Sequence, residues 1–334
     1  MSASAAVRAA EDWAKARTFH HSRYPVARIA SERRHSVSVC VPARECAATV
    51  GEVVGVLAAL RAAGAIDEIV VVDAASADGT AGVAERAGAR VLQEGELLGE
   101  YGPVLGKGDA MWRALPSFGG ELVCFVDGDT EGFGEHFVTG LLGPLVCAPE
   151  ASEVSFVKAF YRRPLDEDGE GGGRVNQLMA RPALALFYPE LAQVRQPLAG
   201  EVAARRELLE ALPFTTGYGV EVGMLIDAWR RAGLAGIAQV DLDEHRHHHQ
   251  PLSALAPMAQ AVLATIAAHL EFDELLDPWP ERFEPSDAQL DAEAKWERIV
   301  DIDPMPTERP PIASVAAAPA VVPAPAAIPA PAAE

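Results

Sequence analysis

The stretch ELVCFVDGDT, residues 121–130, decides how the rest of the chain is read. Its apolar run Leu122-Val123-Cys124-Phe125-Val126 crowds β-branched and aromatic residues into a segment too short for a helix, which predicts a buried strand. The run stops at Asp127-Gly128-Asp129. Side chains two apart on a strand point the same way, so the two aspartates present a pair of carboxylates at the strand's C-terminal end. That edge is where open α/β sheets bind ligands. Hard oxygen donors at this spacing suit a magnesium or manganese ion that also grips a diphosphate. The competing reading is a polar turn whose aspartates bond local amides, and a three-residue motif alone does not decide between them.

The same strand grammar recurs on both sides. SVSVCV (36–41) alternates and predicts the first strand, ending at Pro42-Ala43-Arg44-Glu45-Cys46 before a helix over 47–63. Residues 69–73, IVVVD, form a second buried strand, and Asp78-Gly79 supplies turn chemistry before a short helix. Residues 90–92 form a brief third strand, and Gly106-Lys107-Gly108-Asp109 opens a helix towards Leu115. Strands alternating with helices imply a doubly wound, mostly parallel α/β sheet of nucleotide-binding type. Further strands are expected at 153–160 and 237–242, and helices at 220–233 and 253–272. Residues 1–35 are read as an extension, helical and then extended, that packs on the domain. Residues 304–334 are Ala/Pro/Val-rich and are expected to be a disordered tail.

Composition narrows the function classes. The 334 residues, 49% hydrophobic, suffice for one large domain with a substantial core. A net charge of −20 argues against nucleic acid and anionic membranes as partners, because such a surface repels both. No apolar run approaches the roughly 20 residues of a bilayer span, and the N-terminal segment lacks a signal peptide's apolar centre. Cys40, Cys46, Cys124 and Cys147 show no metal-type spacing, so free thiols in a reducing cytoplasm are expected.

Several polar groups are candidates for chemistry, each with a plainer alternative. Lys107 sits between glycines at a helix start, where it can neutralise a phosphate or touch a base carbonyl, or simply be a solvated turn lysine. Gly171-Gly172-Gly173-Arg174 offers concave backbone N–H groups and a guanidinium fork for a small anion, or a flexible surface loop. In His245-Arg246-His247-His248-His249, alternation lets His245, His247 and His249 share a side. A metal ligand, a phosphate contact and an exposed polar run all remain open there, and one imidazole beside two aspartates is acceptable to manganese. Glu221 follows the Gly217-Tyr218-Gly219 loop at a helix start, where it can accept a substrate proton or serve only as a helix acid.

Taken together, VCVPARECAATVG, VVDAASADGT, GKGDAMWRAL, FVDGDT, VKAFYRRPL, GGGRVNQLMARP, QPLAGE, LPFTTGYGVEVGMLID and IAQVDLDEHRHHHQPL resemble, in order and spacing, the actinobacterial glucosyl-3-phosphoglycerate synthase family. These are retaining glycosyltransferases of the GT-A fold. The likeness runs from 37 to 252; the first two motifs are common to many GT-A enzymes, and GGGRV, YRRPL and GYGVE are more specific. The resemblance implies glucose transfer from UDP-glucose to the 2-hydroxyl of 3-phosphoglycerate with Mg2+ or Mn2+, in a homodimer. By position it implies donor binding by Pro42, Ala43, Arg44, Ser76, Lys107, Asp127 and Tyr218. Asp129 and His247 would hold the metal, and Gly173, Arg174, Asn176 and His249 the acceptor. Asp129, Glu221 and Lys107 would carry the catalytic roles. The resemblance divides the domain, 36–303, into a nucleotide-sugar half (36–150) and an acceptor half (151–303). The sequence departs from the family at Glu45, which stands for an asparagine, Cys46 for a glutamate, Asn176 for a threonine and His249 for an asparagine. A relative of the same architecture uses GDP-mannose to make mannosyl-3-phosphoglycerate, so the donor stays open between the two. A catalytically silent nucleotide-sugar-binding protein is the remaining alternative.

Overall fold

The computed structural model describes residues 3–147, 153–164, 172–246, 252–270 and 306–315. In chain order, α1 (Ala3–Arg17), β1 (Thr18–His20) and α2 (Val26–Glu32) lead into β2 (Val37–Ala43), α3 (Val50–Ala62) and β3 (Glu68–Asp73). Next come α4 (Thr80–Ala87), β4 (Arg90–Gln93), α5 (Lys107–Ala114), β5 (Leu122–Phe125), α6 (His136–Val146) and β6 (Phe156–Arg162). The chain continues through α7 (Arg181–Phe187), β7 (Val202–Arg205), α8 (Arg206–Glu210), β8 (Phe214–Thr215) and α9 (Val220–Ala232). It closes with β9 (Ile237–Glu244), α10 (Leu252–Ala268) and β10 (Glu308–Arg309).

Eight strands form one sheet in the order β1-β9-β6-β7-β5-β2-β3-β4. Every pair is parallel except those of β7, which runs against both β5 and β6. The fold class expected from the sequence is therefore present: a mixed, mostly parallel α/β sheet covered by helices. β5 shows why its sequence is apolar throughout. Leu122 and Cys124 face one core with Phe137, Leu141 and Leu57, while Val123 and Phe125 face the other with Trp112, Val222 and Ile226. A strand covered on both faces has no polar side to show in its pattern.

Two expectations are corrected by the structure. The segment 1–35 is not merely appended: β1 completes the sheet by pairing in parallel with β9, and Trp13 of α1 donates its indole N–H to Ile237 O at 2.8 Å. The tail expected to be disordered from 304 is ordered over 306–315. The stretch 306–315 carries Thr307, Arg309 and Ile312, and these anchor it. β10 pairs antiparallel with β8, Ile312 enters the core, and Trp112 Nε1 donates to Pro310 O at 2.7 Å. Averaged composition hid three anchoring residues. All four cysteines are buried, and burial pushes the Cys40 and Cys124 thiols far above their usual range. Among the described residues no helix is long and apolar enough to cross a membrane.

The segment 306–315 also closes on a histidine. Nδ1 of His269 faces Thr265 O at 2.8 Å, so that nitrogen carries a proton; Nε2 lies 3.1 Å from Asp227 and 3.5 Å from Glu308 of β10. Burial alone lowers the affinity of His269 for a second proton, but Asp227 and then Glu308 outweigh it and raise its pKa. Among the described residues Arg230 is the remaining charged group beside it: its guanidinium donates to His269 O and lies 4.0 Å from Asp227. A raised histidine contributes stability that is complete below its unfolded pKa of about 6.5 and fades as pH climbs through the folded value. The fall in thermal midpoint between pH 6 and pH 9 should accordingly be smaller in His269→Gln than in the wild type, which differential scanning fluorimetry would measure.

Candidate active site

At the C-terminal ends of β2 and β3 the first group of expected donor-binding residues meets. Pro42 and Ala43 end β2, exposed Arg44 opens the loop, and Ser76 lies beside it after β3. Ser76 Oγ accepts a hydrogen bond from Glu45 N at 2.9 Å, and the Ser76 amide in turn donates to buried Asp73 at 3.2 Å. Glu45 has φ of 52°, the left-handed region in which asparagine is tolerated far better than glutamate. Its own side chain offsets that cost, because Oε1 accepts from Ala77 N at 2.8 Å. The thiol of Cys46 is buried and sits 3.2 Å from Arg44 N. The PAREC loop thus reaches a closed, bonded shape with its own set of side chains.

The second group assembles around Lys107, at the N-terminus of α5. Its Nζ lies 2.7 Å from Asp127 Oδ1, beyond β5, and 3.0 Å from Glu221 Oε1, in the first turn of α9. Burial works against the lysine's charge, yet the two carboxylates hold its pKa well above the ordinary lysine range. Asp129, two residues on, reaches solvent while protein packs around it; that packing first, and the neighbouring Asp127 second, raise its pKa. Tyr218 stands 54% exposed at the lip of the cleft, between Gly217 and Gly219. The structure therefore brings together Lys107, Asp127 and Glu221, with Asp129 and Tyr218 at their margins.

Beneath this lies a buried network that was not singled out from the sequence. Because β7 is antiparallel, the residue preceding it arrives at the C-terminal edge of its neighbours. That residue is Glu201, fully buried. Its Oε2 accepts from the Tyr161 hydroxyl at 2.6 Å, and that hydroxyl accepts from Arg163 at 2.9 Å. His245 stacks on Tyr161 and places Nε2 3.0 Å from Glu201 Oε1 and 3.1 Å from Thr130 Oγ1. Burial opposes a charge on Glu201, but His245, then Arg163 and Tyr161, hold it well below the carboxylate range. Asp127, Glu201 and His245 bring three possible ligand atoms within 4.8 Å of one another. Lys158, also buried, donates to Glu221 O at 3.4 Å, and burial pushes its pKa down to about 8. The one available signal was QPLAGE: a carboxylate after glycine, ahead of an apolar strand.

On the side expected to take the acceptor, Gly173 has φ of 69°, and Arg174 begins the helical run that leads into α7. Asn176 is buried; its amide donates to Arg195 O and accepts from Leu198 N, each at 3.4 Å. It braces the 195–198 loop rather than opening its amide to the cleft. Gly171, His247 and His249 lie outside the described residues. Their immediate neighbour Arg246 bridges to Glu131, next to the Asp127–Thr130 turn.

A carboxylate-bearing turn at the C-terminal edge of such a sheet, faced by a lysine at a helix N-terminus, defines a nucleotide-diphospho-sugar transferase of GT-A type. The comparisons with known proteins agree. The chain is 44% identical over 259 residues to the glucosyl-3-phosphoglycerate synthase of Mycolicibacterium smegmatis, covering 76% of this chain and 84% of that one. The structure of mannosyl-3-phosphoglycerate synthase from Rubrobacter xylanophilus matches with a TM-score of 0.73 and 46% identity, over 78% of this chain and 83% of that one. Glucosyl-3-phosphoglycerate synthase from Mycobacterium tuberculosis, solved with Mn2+, UDP-glucose and phosphoglyceric acid, matches at 0.70 and 40%, over 76% and 87%. No protein-family model matches the chain. The chain belongs to the glucosyl-3-phosphoglycerate synthase family.

Gly200 shows how tightly the cleft is built. A methyl group added there would lie 2.5 and 2.7 Å from the two Asp127 oxygens and 2.8 Å from Lys107 Nζ. Gly200→Ala must therefore displace the Asp127 carboxylate and the Lys107 ammonium from their present places. It should weaken UDP binding at least tenfold by isothermal titration calorimetry while moving the thermal midpoint only a few degrees.

Proposed function

We propose that this protein moves glucose from UDP-glucose to the 2-hydroxyl of 3-phosphoglycerate, with retention at the sugar and with Mg2+ or Mn2+. The observation that carries the reading is Lys107 held between Asp127 and Glu221 at the sheet's ligand-binding edge, in a chain of this family. Lys107 places an ammonium at the ligand edge, and its two carboxylate partners leave the trio one negative charge for a divalent cation to offset. Tyr218, at the lip, closes over the sugar, and Pro42, Ala43, Arg44 and Ser76 line the nucleotide side. Gly173 and Arg174 receive the acceptor's phosphate and carboxylate, with Asn176 and His249 beside them.

The donor set fits a hard divalent cation: Asp127 and Asp129 bring two carboxylates to one turn at the ligand edge, and Asp129 reaches solvent there. Asp129 and His247 would hold the ion, which when bound neutralises charge on the departing diphosphate. Glu221 has one oxygen committed to Lys107. That commitment favours a role in orienting the sugar and the acceptor hydroxyl, with the leaving diphosphate oxygen taking the hydroxyl proton on the same face. A covalent route through Glu221 would have to use its other oxygen, on a carboxylate whose nucleophilicity the Lys107 pair lowers.

The mannosyl-3-phosphoglycerate synthase among the structural neighbours, at 46% identity, supports a second reading in which GDP-mannose is the donor. One assay decides: purified protein, Mn2+ or Mg2+, 3-phosphoglycerate and either donor, followed by nucleotide release and product mass. Turnover with UDP-glucose, lost at least a thousandfold in Asp129→Ala, is the expected result; preference for GDP-mannose transfers the assignment, and no turnover with either sinks both. In the same assay Glu221→Gln should keep measurable turnover. A dead Glu221→Gln together with a trapped glycosyl adduct on Glu221 would establish the covalent route.

The buried thiols of Cys40, Cys46 and Cys124 support a cytoplasmic setting. A homodimer is also part of the proposal, supported by Leu178, Leu186, Phe187 and Leu263, which stay exposed near the packed α7 and α10. Light scattering after size exclusion should give twice the mass of the 35.3 kDa chain, and a monomeric mass rejects it.

A further inference from the structure

We infer that residues 307–312 form a positioning strap for the active site, with Arg309 as its key residue; the inference rests on the transferase reading above. The argument is a closed circuit of contacts. Arg309 lays its guanidinium on Asp109, Nε to Oδ1 and Nη2 to Oδ2, both at 2.8 Å. Asp109 is fully buried, and it sits two residues after Lys107 in the first turn of α5. Its Oδ2 also accepts from Leu105 N at 2.8 Å, which fixes the backbone just ahead of Lys107. Leu105 O accepts from Gly217 N at 2.9 Å, so the lysine-bearing loop is tied to the loop carrying Tyr218. Thr216 N then donates to Thr307 O at 2.8 Å, and Thr307 N returns the bond to Thr216 Oγ1 at 3.0 Å. From Thr307 the chain runs two residues to Arg309 and the ring is complete.

What lies inside the ring is the chemistry. Lys107 and Glu221 stand in the first turns of the helices that follow the two loops the strap joins, and Tyr218 lies on one of those loops; among the described residues β8 pairs only with β10, outside the main sheet. The loops also abut without slack. A methyl group at Gly106 would lie 3.1 Å from Gly217 Cα, and one at Gly108 would collide with Thr215 O. A small shift of either loop therefore moves Lys107 against Glu221. Trp112 and Ile312 seat the strap, and Arg309 lies over the Tyr101 and Trp112 rings at 5.9 and 5.7 Å. A guanidinium suits this place because its planar fork takes both carboxylate oxygens at once; a lysine reaches one.

The strap separates positioning from mere stability. Arg309→Ala in the full-length chain should lower kcat at least tenfold and weaken UDP binding in Mn2+ at least fivefold, while KM for 3-phosphoglycerate changes less than twofold. Arg309→Lys should fall between Ala and wild type on both measures. Assays run well below each variant's thermal midpoint, so a loss of global folding does not enter. Folded Arg309→Ala with kcat and UDP affinity within twofold of wild type overturns the proposal. If Arg309→Ala does not fold, Arg309→Lys decides by the same twofold criterion. If wild type itself turns over neither donor, the transferase reading fails, and unchanged UDP affinity in the Arg309 variants would still reject the strap.

Discussion

One cation between two carboxylates holds the cleft in shape. Lys107 comes from the start of α5, Asp127 from the end of β5 and Glu221 from the start of α9, so three separately folded elements converge on one ammonium group. At about 3 Å and partly sheltered from water, such contacts are strong, and removing one partner of a buried pair typically costs about 3–5 kcal/mol. A protein with a net charge of −20 repels diphosphates and phosphoglycerate over most of its surface, and because Lys107 is matched by two carboxylates, the trio keeps one negative charge for a divalent cation to offset.

The sheet's single reversed strand has a matching consequence. By running against β5 and β6, β7 delivers Glu201 to the ligand edge, where a parallel strand would have delivered its other end. Glu201 then organises Tyr161, Arg163 and His245 below the Asp127–Thr130 turn, and Gly200 leaves room for Asp127 and Lys107 above. A buried polar network of this kind is costly unless its members satisfy one another, and satisfied it makes a rigid floor.

Much of this was legible in the chain, for definite reasons. β5, β2 and β3 announce themselves because strands buried on both faces must be apolar throughout, and Asp127, Lys107 and Glu221 stand at the breaks in those patterns. β1 was missed because three residues, Thr18–His20, carry no period; β7 because Val-Ala-Ala-Arg is weak in β-branched residues; β10 because an Ala/Pro tail masks its neighbours. Glu201 escaped notice, and His245 was read only as one of a histidine run, because their importance lies in whom they meet across the sheet, and strand order is not written locally. The PAREC loop shows the reverse: the sequence departs from its relatives at Glu45 and Cys46, yet local bonds give the backbone a defined path.

The pairing of β1 with β9 says something about how such a chain is made. Thr18 and Gln239, bonded through their side chains, are 221 residues apart, and Arg309 meets Asp109 across 200. Contacts this distant carry a large loop-closure entropy and slow folding. During synthesis the first strand to leave the ribosome waits for nearly the last strand of the sheet, and the lysine-bearing loop waits longer still. Residues 18–20 thus stay without their sheet partner until β9 has been made, and the sheet is finished only then.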